Sequence, residues 1–420
     1  MPDTKYLILG SSHAGLAALD AIRLADPEGP VTMVTADQSP PYSPTVLPYV
    51  FSGRSEPDRV FLRRAEDLSA QGVEFVTGAA ASSLDAAAGK AVLADGREIG
   101  FERALVATGA RPAVPDIQGL ADCPYLGLRT LADAVALKEK AGRASSAVIL
   151  GAGLIGLHAA ENLARAGLQV TVVEMQNQVL PGYFDKKAAG MIAEVFAQEG
   201  VKLLLGSEVT HVTSNHQGCG ISLAKGLDLS ADLLLVAAGV RPNWECLEGQ
   251  QVQKDQGVVV DDYMRTGLAG VWAAGDVAQA RGFFESSPQY LATLPMAVEQ
   301  GRVAGADMAE DPARQPFAGA LAMNAFSFFG HRAFSVGKAL TPASTKTLEV
   351  DVLHSPASHR YRKLVFKGDV LVGAMGVNSR LDPGVLWQLI RRRVELGGAK
   401  EEFAARPQEM GRLLMTQLWR

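Results

Sequence analysis

The chain carries one pattern of apolar and polar positions twice. A short apolar run, YLIL at 6–9 and AVIL at 147–150, leads into a glycine-rich hexapeptide: GSSHAG from Gly10 to Gly15, GAGLIG from Gly151 to Gly156. An Ala- and Leu-rich stretch follows each hexapeptide. Unbroken apolar runs bounded by glycine read as strands covered on both faces, and the stretches behind them read as helices. The first helix is predicted from about Ala14 to Leu24, followed by the strands VTMVT, VEFV and AVLA and by RALVATGARP, a buried strand that ends in a Gly and Pro turn. Residues 112–144 cross over with Pro and Gly signals. A second unit then starts at Ala147 and runs through QVTVVE, a helix from about Lys186 to Glu199, VKLLLG and LLLVAAGVRPN. Its order of elements repeats that of the first.

Beyond the repeat the pattern changes. A helix is predicted from about Pro295 to Met308, after which FSVG, TLEVDVL, YRKLVF and VLVGAMGV alternate as short strands ahead of two C-terminal helices. The first of these has Asp382 to cap it, Pro383 at its first position, and an apolar face of Val385, Leu386, Leu389, Ile390 and Val394. The fold class is therefore α/β: two Rossmann-like dinucleotide-binding domains, one inserted in the other, plus a C-terminal α+β domain.

Composition narrows the function classes. At 420 residues, 48% of them apolar and 20% charged, the chain is too long for one core and suits two or three domains. A net charge of −5 gives no basic surface for nucleic acid. The longest apolar runs, such as LLLVAAGV at 233–240, fall far short of the roughly 20 residues of a membrane helix, so no membrane partner is expected. The N-terminus enters a strand within a few residues, without the charged and apolar regions of a leader, and a cytoplasmic protein is expected. Cys123, Cys219 and Cys246 are scattered, without metal-ligand spacing, and read as free thiols; no metal site is expected.

The two hexapeptides carry the chemistry. In such a turn the first Gly allows the tight bend, the second small residue lets the backbone approach a pyrophosphate, and the third lets helix and strand pack closely. The backbone N–H groups and the positive end of the helix then face the phosphates. In the second turn Gly151, Gly153 and Gly156 match fully, with Ala152, Leu154 and Ile155 between them. Glu174 ends the next strand, where a carboxylate accepts hydrogen bonds from a ribose diol. Met175 to Gln178 bring no basic residue, so a 2′-phosphate is repelled and NAD(H) is favoured over NADP(H). In the first turn Ser11, Ser12, His13 and Ala14 separate Gly10 from Gly15, with Ser12 in place of the middle Gly. Thr35 stands at the position of Glu174 and Asp37 two residues later, so Thr35, Asp37 and the main chain all stay open for ribose recognition.

With LVATGARP at 105–112, LLVAAGVRPN at 234–243 and TGLAGVWAAGD at 266–276, these turns make the chain resemble the FAD-dependent pyridine nucleotide-disulfide oxidoreductases of the glutathione reductase structural type. The resemblance runs over roughly residues 4–310, and more loosely beyond. It implies an FAD-binding domain at 1–111 and 242–312, an NAD(H)-binding domain at 112–241, and a C-terminal interface domain at 313–420. It implies FAD contacts from the first turn, Tyr49, Ala81, Thr108, Gly109 and Met296, with Asp276 on the flavin's ribityl chain. It places Ala238 and Gly239 beside the nicotinamide nucleotide.

Two departures from that family direct the functional reading. Disulfide-reducing members carry a cysteine pair beside the flavin, and related branches keep one cysteine before a Leu-Pro-Tyr stretch. Here PPYSPTVLPYVFSG at 40–53 puts Thr45 at that place. Without a thiolate there is no mixed disulfide, so electrons must leave the flavin another way. The PPYS stretch resembles the branch of rubredoxin and ferredoxin reductases and NADH nitrite reductase flavin domains, and the FAD subunits that couple iron-sulfur oxidoreductases, such as tungsten aldehyde oxidoreductase and phenylglyoxylate dehydrogenase, to NAD. Pro44 and Tyr49 stand where that branch often carries Arg and Lys. The second departure is His158, which replaces a glutamate near the nicotinamide; it is either a tuning group for nicotinamide binding or a packed interface histidine.

The expected function is hydride transfer between NAD(H) and FAD and single-electron transfer with an iron-sulfur protein or subunit. Alternatives are a freestanding NADH oxidase or small-acceptor reductase, and a non-turnover flavoprotein sensor or scaffold. A homodimer and a hetero-oligomeric complex both stay open. No side chain is expected to act as acid, base or nucleophile, with His158 the one candidate. Purified protein is expected to be yellow and to release FAD on acid extraction; a colourless preparation that takes up no FAD would count against the assignment of the first turn.

Overall fold

The computed structural model describes residues 3–215, 218–342 and 345–418. The chain folds into two compact units: Met1–Pro112, Arg129–Val135 and Val240–Leu321 make the first, and Ala113–Leu128, Ala136–Gly239 and Ala322–Arg420 the second.

The first unit is built on a seven-stranded sheet. Thr4–Leu9 lies between Val31–Val34 and Glu98–Val106, with Val73–Val76 outside the former and Val271–Ala273 beside the latter, all in parallel register. Tyr6, Leu7, Ile8 and Leu9 are buried, as an apolar run with both sheet faces covered requires. Lys90–Leu93 and Ala81–Asp85 extend the sheet in antiparallel fashion. The predicted first helix runs His13–Ala25 and packs on Leu294–Met308. That crossing is close because two glycines line it: a Cβ on Gly301 would lie 2.2 Å from the Ala14 carbonyl oxygen, and one on Gly305 2.3 Å from that of Ala18.

The second unit repeats the strand order on a smaller scale. Ser146–Leu150 lies between Gln169–Glu174 and Leu233–Val236, with Lys202–Leu205 outermost, all parallel. The helices Leu154–Arg165 and Lys186–Gln198 complete the βαβ pattern. A three-stranded antiparallel sheet of Val209–Asn215, Gly218–Leu223 and Asp228–Ala231 stands beside it.

The C-terminal part of this unit is a five-stranded antiparallel sheet in the order Met323–Phe328, His331–Gly337, Val370–Val377, Arg360–Lys367, Glu349–Ser355. Four of these strands follow the sequence pattern; Met323–Phe328 was not among those predicted. The helix Pro383–Arg391 starts as expected, with the Asp382 carboxylate accepting from Gly384 and Val385 N–H, and buries Leu386, Leu389 and Ile390. Lys400–Ala405 and Pro407–Leu418 follow, so the stretch predicted as one last helix is divided at Arg406. Pro407 accounts for the break: it cannot donate to the preceding turn and disfavours a helical residue before it. Among the described residues no helix is long and apolar enough to cross a membrane.

Candidate functional site

The two glycine-rich turns have the same backbone construction. Gly10 N–H donates to Val34 O and Gly151 N–H to Val173 O, both at 2.8 Å. Gly10 (φ +119°) and Gly151 (φ +107°) adopt a conformation that a side chain resists, and a Cβ would lie 2.1 Å from Ala107 O in the first case and 2.4 Å from Ala237 O in the second. Gly15 and Gly156 press back on the turn, where an added Cβ would lie 2.0 Å from the Gly10 or Gly151 carbonyl oxygen. Each helix is thereby drawn against the end of its strand. Ser12 and Gly153 occupy the extended position ahead of the two helices, and neither helix has a side-chain cap. The first-turn N–H groups are left to a ligand, and the two helices, 13 and 12 residues long, direct their positive ends at it. A Cβ on Gly153 would meet nothing within 4 Å, so the backbone there is open to close approach. Both turns fit a bound pyrophosphate.

In the first unit a cavity of about 740 Å³ opens from the turn. Of the residues expected at FAD, Gly10, Ser11, Ser12, Thr35, Asp37, Ala81, Thr108 and Gly109 line it. The other six lie outside the lining. Ala14 and Gly15 serve the helix packing just described. Met296 is fully buried and its sulfur accepts from Leu321 N–H, and Tyr49 is 47% exposed. His13 Nε2 lies 2.8 Å from Ser43 Oγ, which lies 2.7 Å from Thr45 Oγ1. Burial lowers the His13 pKa and the Asp276 charge opposes the shift, so the imidazole of this chain of three is held toward its neutral form.

Thr35 Oγ1 accepts from Asp37 N–H, and Asp37 Oδ2 accepts from the Tyr42 hydroxyl at 2.9 Å. That hydroxyl in turn accepts from Leu131 N–H, tying the acid to the start of the Leu131–Ala141 helix. Burial pushes the Tyr42 phenol well above its usual range, so it stays a donor. Asp276 is met by Arg129, whose Nη2 is 3.2 Å from Oδ2 and whose Nε donates to Ala110 O. Thr108 and Asn243 clamp one another through two hydrogen bonds where Ala110–Pro112 pairs with Val240–Pro242.

Arg129, Tyr42 and Asn243 line the cavity and were not among the expected site residues. Arg129 has a sequence signal. It directly precedes Thr130-x-x-Asp133, a capping box in which Asp133 accepts from Thr130 N–H while Thr130 Oγ1 accepts from Asp133 N–H. An arginine there stands beside a helix start. Tyr42 joins Asp37 to Leu131, 89 positions on, and Asn243 reaches Thr108 from 135 positions away, pairings that carry no local signal.

In the second unit the Glu174 carboxylate reaches the turn. Oε2 accepts from Ala152 N–H and Oε1 from Gln176 N–H, both at 2.8 Å. Leu180 N–H closes on Ala152 O. Ile155 is exposed, Leu154 half-buried, and Ala238 and Gly239 lie exposed next to Gly151. His158, one turn on from Leu154 and Ile155, is edge-on to Phe326 at 4.8 Å between ring centres. Phe326 stacks on Phe328, and Phe196 stacks on both. Phe326 and Phe328 are both buried in this cluster. Glu161, one turn after His158, accepts from Phe329 N–H and from Arg165 Nε.

Residues 4–301 match the family described as pyridine nucleotide-disulphide oxidoreductase. The chain is 47% identical over 418 residues to the epsilon subunit of an NADH-dependent phenylglyoxylate dehydrogenase of Aromatoleum evansii, covering 99% of this chain and 98% of the relative. Its fold is shared by a ferredoxin reductase of Rhodopseudomonas palustris (TM-score 0.81, 23% identity, 93% of this chain and 100% of that one). It is shared also by the NADH-bound water-forming NADH oxidase of Lactobacillus brevis (TM-score 0.84, 23% identity, 94% of this chain and 92% of that one).

Burial lowers the His158 pKa from its ordinary 6.5, with the Glu161 charge opposing. The unfolded chain therefore binds the proton more readily. This histidine's contribution to stability is present above about pH 6.5 and falls as pH drops toward the folded-state pKa. Denaturant titrations at pH 7.5 and 5.5 are expected to show a smaller loss of stability at pH 5.5 for His158→Phe than for the parent; equal losses would contradict the packing described.

Proposed function

The chain belongs to the pyridine nucleotide-disulphide oxidoreductase family, and we propose that it passes hydride between NAD(H) and FAD and single electrons between FAD and an iron-sulfur protein or subunit. It is an FAD-containing, NAD(H)-dependent oxidoreductase. FAD, when bound, supplies a ring system that exchanges a hydride with NAD(H) and electrons one at a time with a metal centre. The chain's own residues contribute position and charge.

The turn from Gly10 to Gly15 presents its N–H groups to the FAD pyrophosphate, and Asp37, fixed by Tyr42, takes the adenosine ribose. Asp276 takes the ribityl chain. Arg129 orients that carboxylate by the ion pair at 3.2 Å. In the other unit the turn from Gly151 to Gly156 presents its N–H groups to the NAD(H) pyrophosphate. Glu174, already held against the turn by Ala152 and Gln176 N–H, accepts the ribose diol and repels a 2′-phosphate. Ala238 and Gly239 leave backbone space beside that nucleotide.

One observation carries the choice of electron acceptor. Thr45, at the place of the family's redox cysteine, engages its hydroxyl with Ser43, and Ser43 with His13. A hydroxyl forms no mixed disulfide. Cys246 lines the cavity of the same unit, but burial, reinforced by the Glu245 charge, pushes its thiol up to about 12, so it is held protonated and un-nucleophilic. The electrons therefore pass to an acceptor outside the chain. The relative from Aromatoleum evansii is a subunit by name, which favours an NAD-coupling subunit of a larger assembly.

The test is anaerobic mixing of the purified holoprotein with NADH and a ferredoxin, following ferredoxin reduction optically, beside NADH consumption in air. Ferredoxin reduction well above the oxygen rate is expected. Rapid NADH consumption with oxygen alone and no gain from ferredoxin would instead establish an oxidase. For the nucleotide assignment, Glu174→Gln is expected to raise the KM for NADH roughly ten- to a hundredfold, the loss of hydrogen bonds to a charged acceptor, with FAD content retained. Unchanged NADH kinetics would sink the role of Glu174.

A further inference from the structure

Two of the three cysteines meet inside the second unit. Cys123 lies in the segment 113–128 and Cys219 in the strand Gly218–Leu223, and their sulfurs are 2.8 Å apart across 96 residues of sequence. That is closer than two carbon atoms in contact, about 3.5 Å, and within ~0.8 Å of a disulfide bond. Both residues are 4% exposed, packed among Leu120, Val212, Ile221, Ala231 and Leu234. The backbone on either side holds them there. Val212 N–H donates to Gln118 O at 2.9 Å, and a Cβ on Gly119 would lie 2.0 Å from Val212 O, so the segment is pressed onto the small sheet. Three residues after Cys123, Leu126 N–H donates to Leu234 O and Leu126 O accepts from Val236 N–H, which anchors it to the parallel sheet. Cys123 is held between two anchors beside Cys219.

These surroundings narrow what the pair can do. Among the described residues no third His, Cys, Asp or Glu joins them in a metal-binding group, and two sulfurs alone do not complete a structural zinc site. They sit in an apolar cluster, and among the described residues only burial and Cys219 itself act on the Cys123 thiol, with no base or cation to activate it. What remains is the chemistry of one sulfur with the other.

We propose that Cys123 and Cys219 form a modification site, a dithiol that a peroxide converts to an intrachain disulfide joining the 113–128 segment to the Gly218–Leu223 strand. One thiolate attacks the O–O bond and becomes a sulfenic acid as the first water leaves. The second sulfur displaces the hydroxyl as the second water, and the S–S bond forms. Two thiols and one hydrogen peroxide thus give one disulfide and two waters, with two electrons passing from sulfur to oxygen. Burial, followed by the neighbouring Cys219, holds the Cys123 thiol up at about 12, so thiolate is scarce near neutral pH and the reaction is slow, accelerating as pH rises. The bond would close a loop containing the Gly151 turn and Glu174, constraining the unfolded chain over a long span and raising the melting temperature.

Intact holoprotein exposed to hydrogen peroxide at pH 7 and pH 9, then unfolded and alkylated, is expected to fall from three titratable thiols to one, faster at pH 9. Peptide mass mapping should recover a Cys123–Cys219 cross-link. Melting should rise by about 5–10 °C and revert with dithiothreitol, and Cys219→Ser should show neither cross-link nor rise. Three thiols persisting at pH 9, a cross-link through Cys246, or separate oxidation of each sulfur to a sulfonic acid would overturn the proposal.

Discussion

Both glycine-rich turns depend on backbone touching backbone. Gly15 against the Gly10 carbonyl and Gly156 against the Gly151 carbonyl leave no room for a methyl group, and Gly10 and Gly151 are pressed as closely onto the neighbouring strands at Ala107 and Ala237. Those contacts bring each helix start to the carboxyl end of a central parallel strand. The positive end of the helix and its free N–H groups then become a phosphate cradle without any charged side chain. Because no Asp, Ser or Thr caps either helix through its side chain, the cradle stays available to a ligand. Stability is given up locally in favour of binding.

Around this shared device the two sites differ in how a carboxylate is placed. Glu174 belongs to the strand next to its turn and is tied directly to the turn by Ala152 N–H. In the first unit the same strand position holds Thr35, whose hydroxyl instead fixes the backbone of Asp37, and Asp37 is held from outside by Tyr42. Tyr42 also grips the N-terminus of the Leu131–Ala141 helix, just after Arg129, which pairs with Asp276. The acids at the first site are thus set by a network spanning three separate stretches of chain, whereas the second is nearly self-contained.

In the second unit an aromatic cluster and a polar one engage opposite ends of the Lys186–Gln198 helix. Phe196 from the Lys186–Gln198 helix stacks with Phe326 and Phe328 of the C-terminal sheet, and His158 closes the edge. At the start of the same helix, Asp185 caps it with one carboxylate oxygen and accepts from Tyr361 and Lys363 with the other. Lys363 is buried, and pairing with Asp185 and the Thr341 carbonyl offsets the cost of that burial. A histidine at 158 therefore has a packing use in this chain whatever its distance from a nucleotide.

By itself the sequence determined the repeated strand-turn-helix order, the two glycine turns, Glu174 as the acid of the second, and the lack of a thiol at Thr45. These are legible because each is set by residues close together in the chain: a glycine's freedom, an apolar period, the length of one strand. Only the tertiary structure decided which distant groups complete the sites. Arg129 reaches Asp276 from 147 positions away, Asn243 reaches Thr108 from 135, and Cys123 reaches Cys219 from 96. It also decided how the Met323–Phe328 run is used: the run pairs with His331–Gly337, and its phenylalanines are buried against Phe196, some 130 positions away. Such pairings follow from where sheets and crossing segments pack, and no local pattern of residue types encodes a partner a hundred positions away.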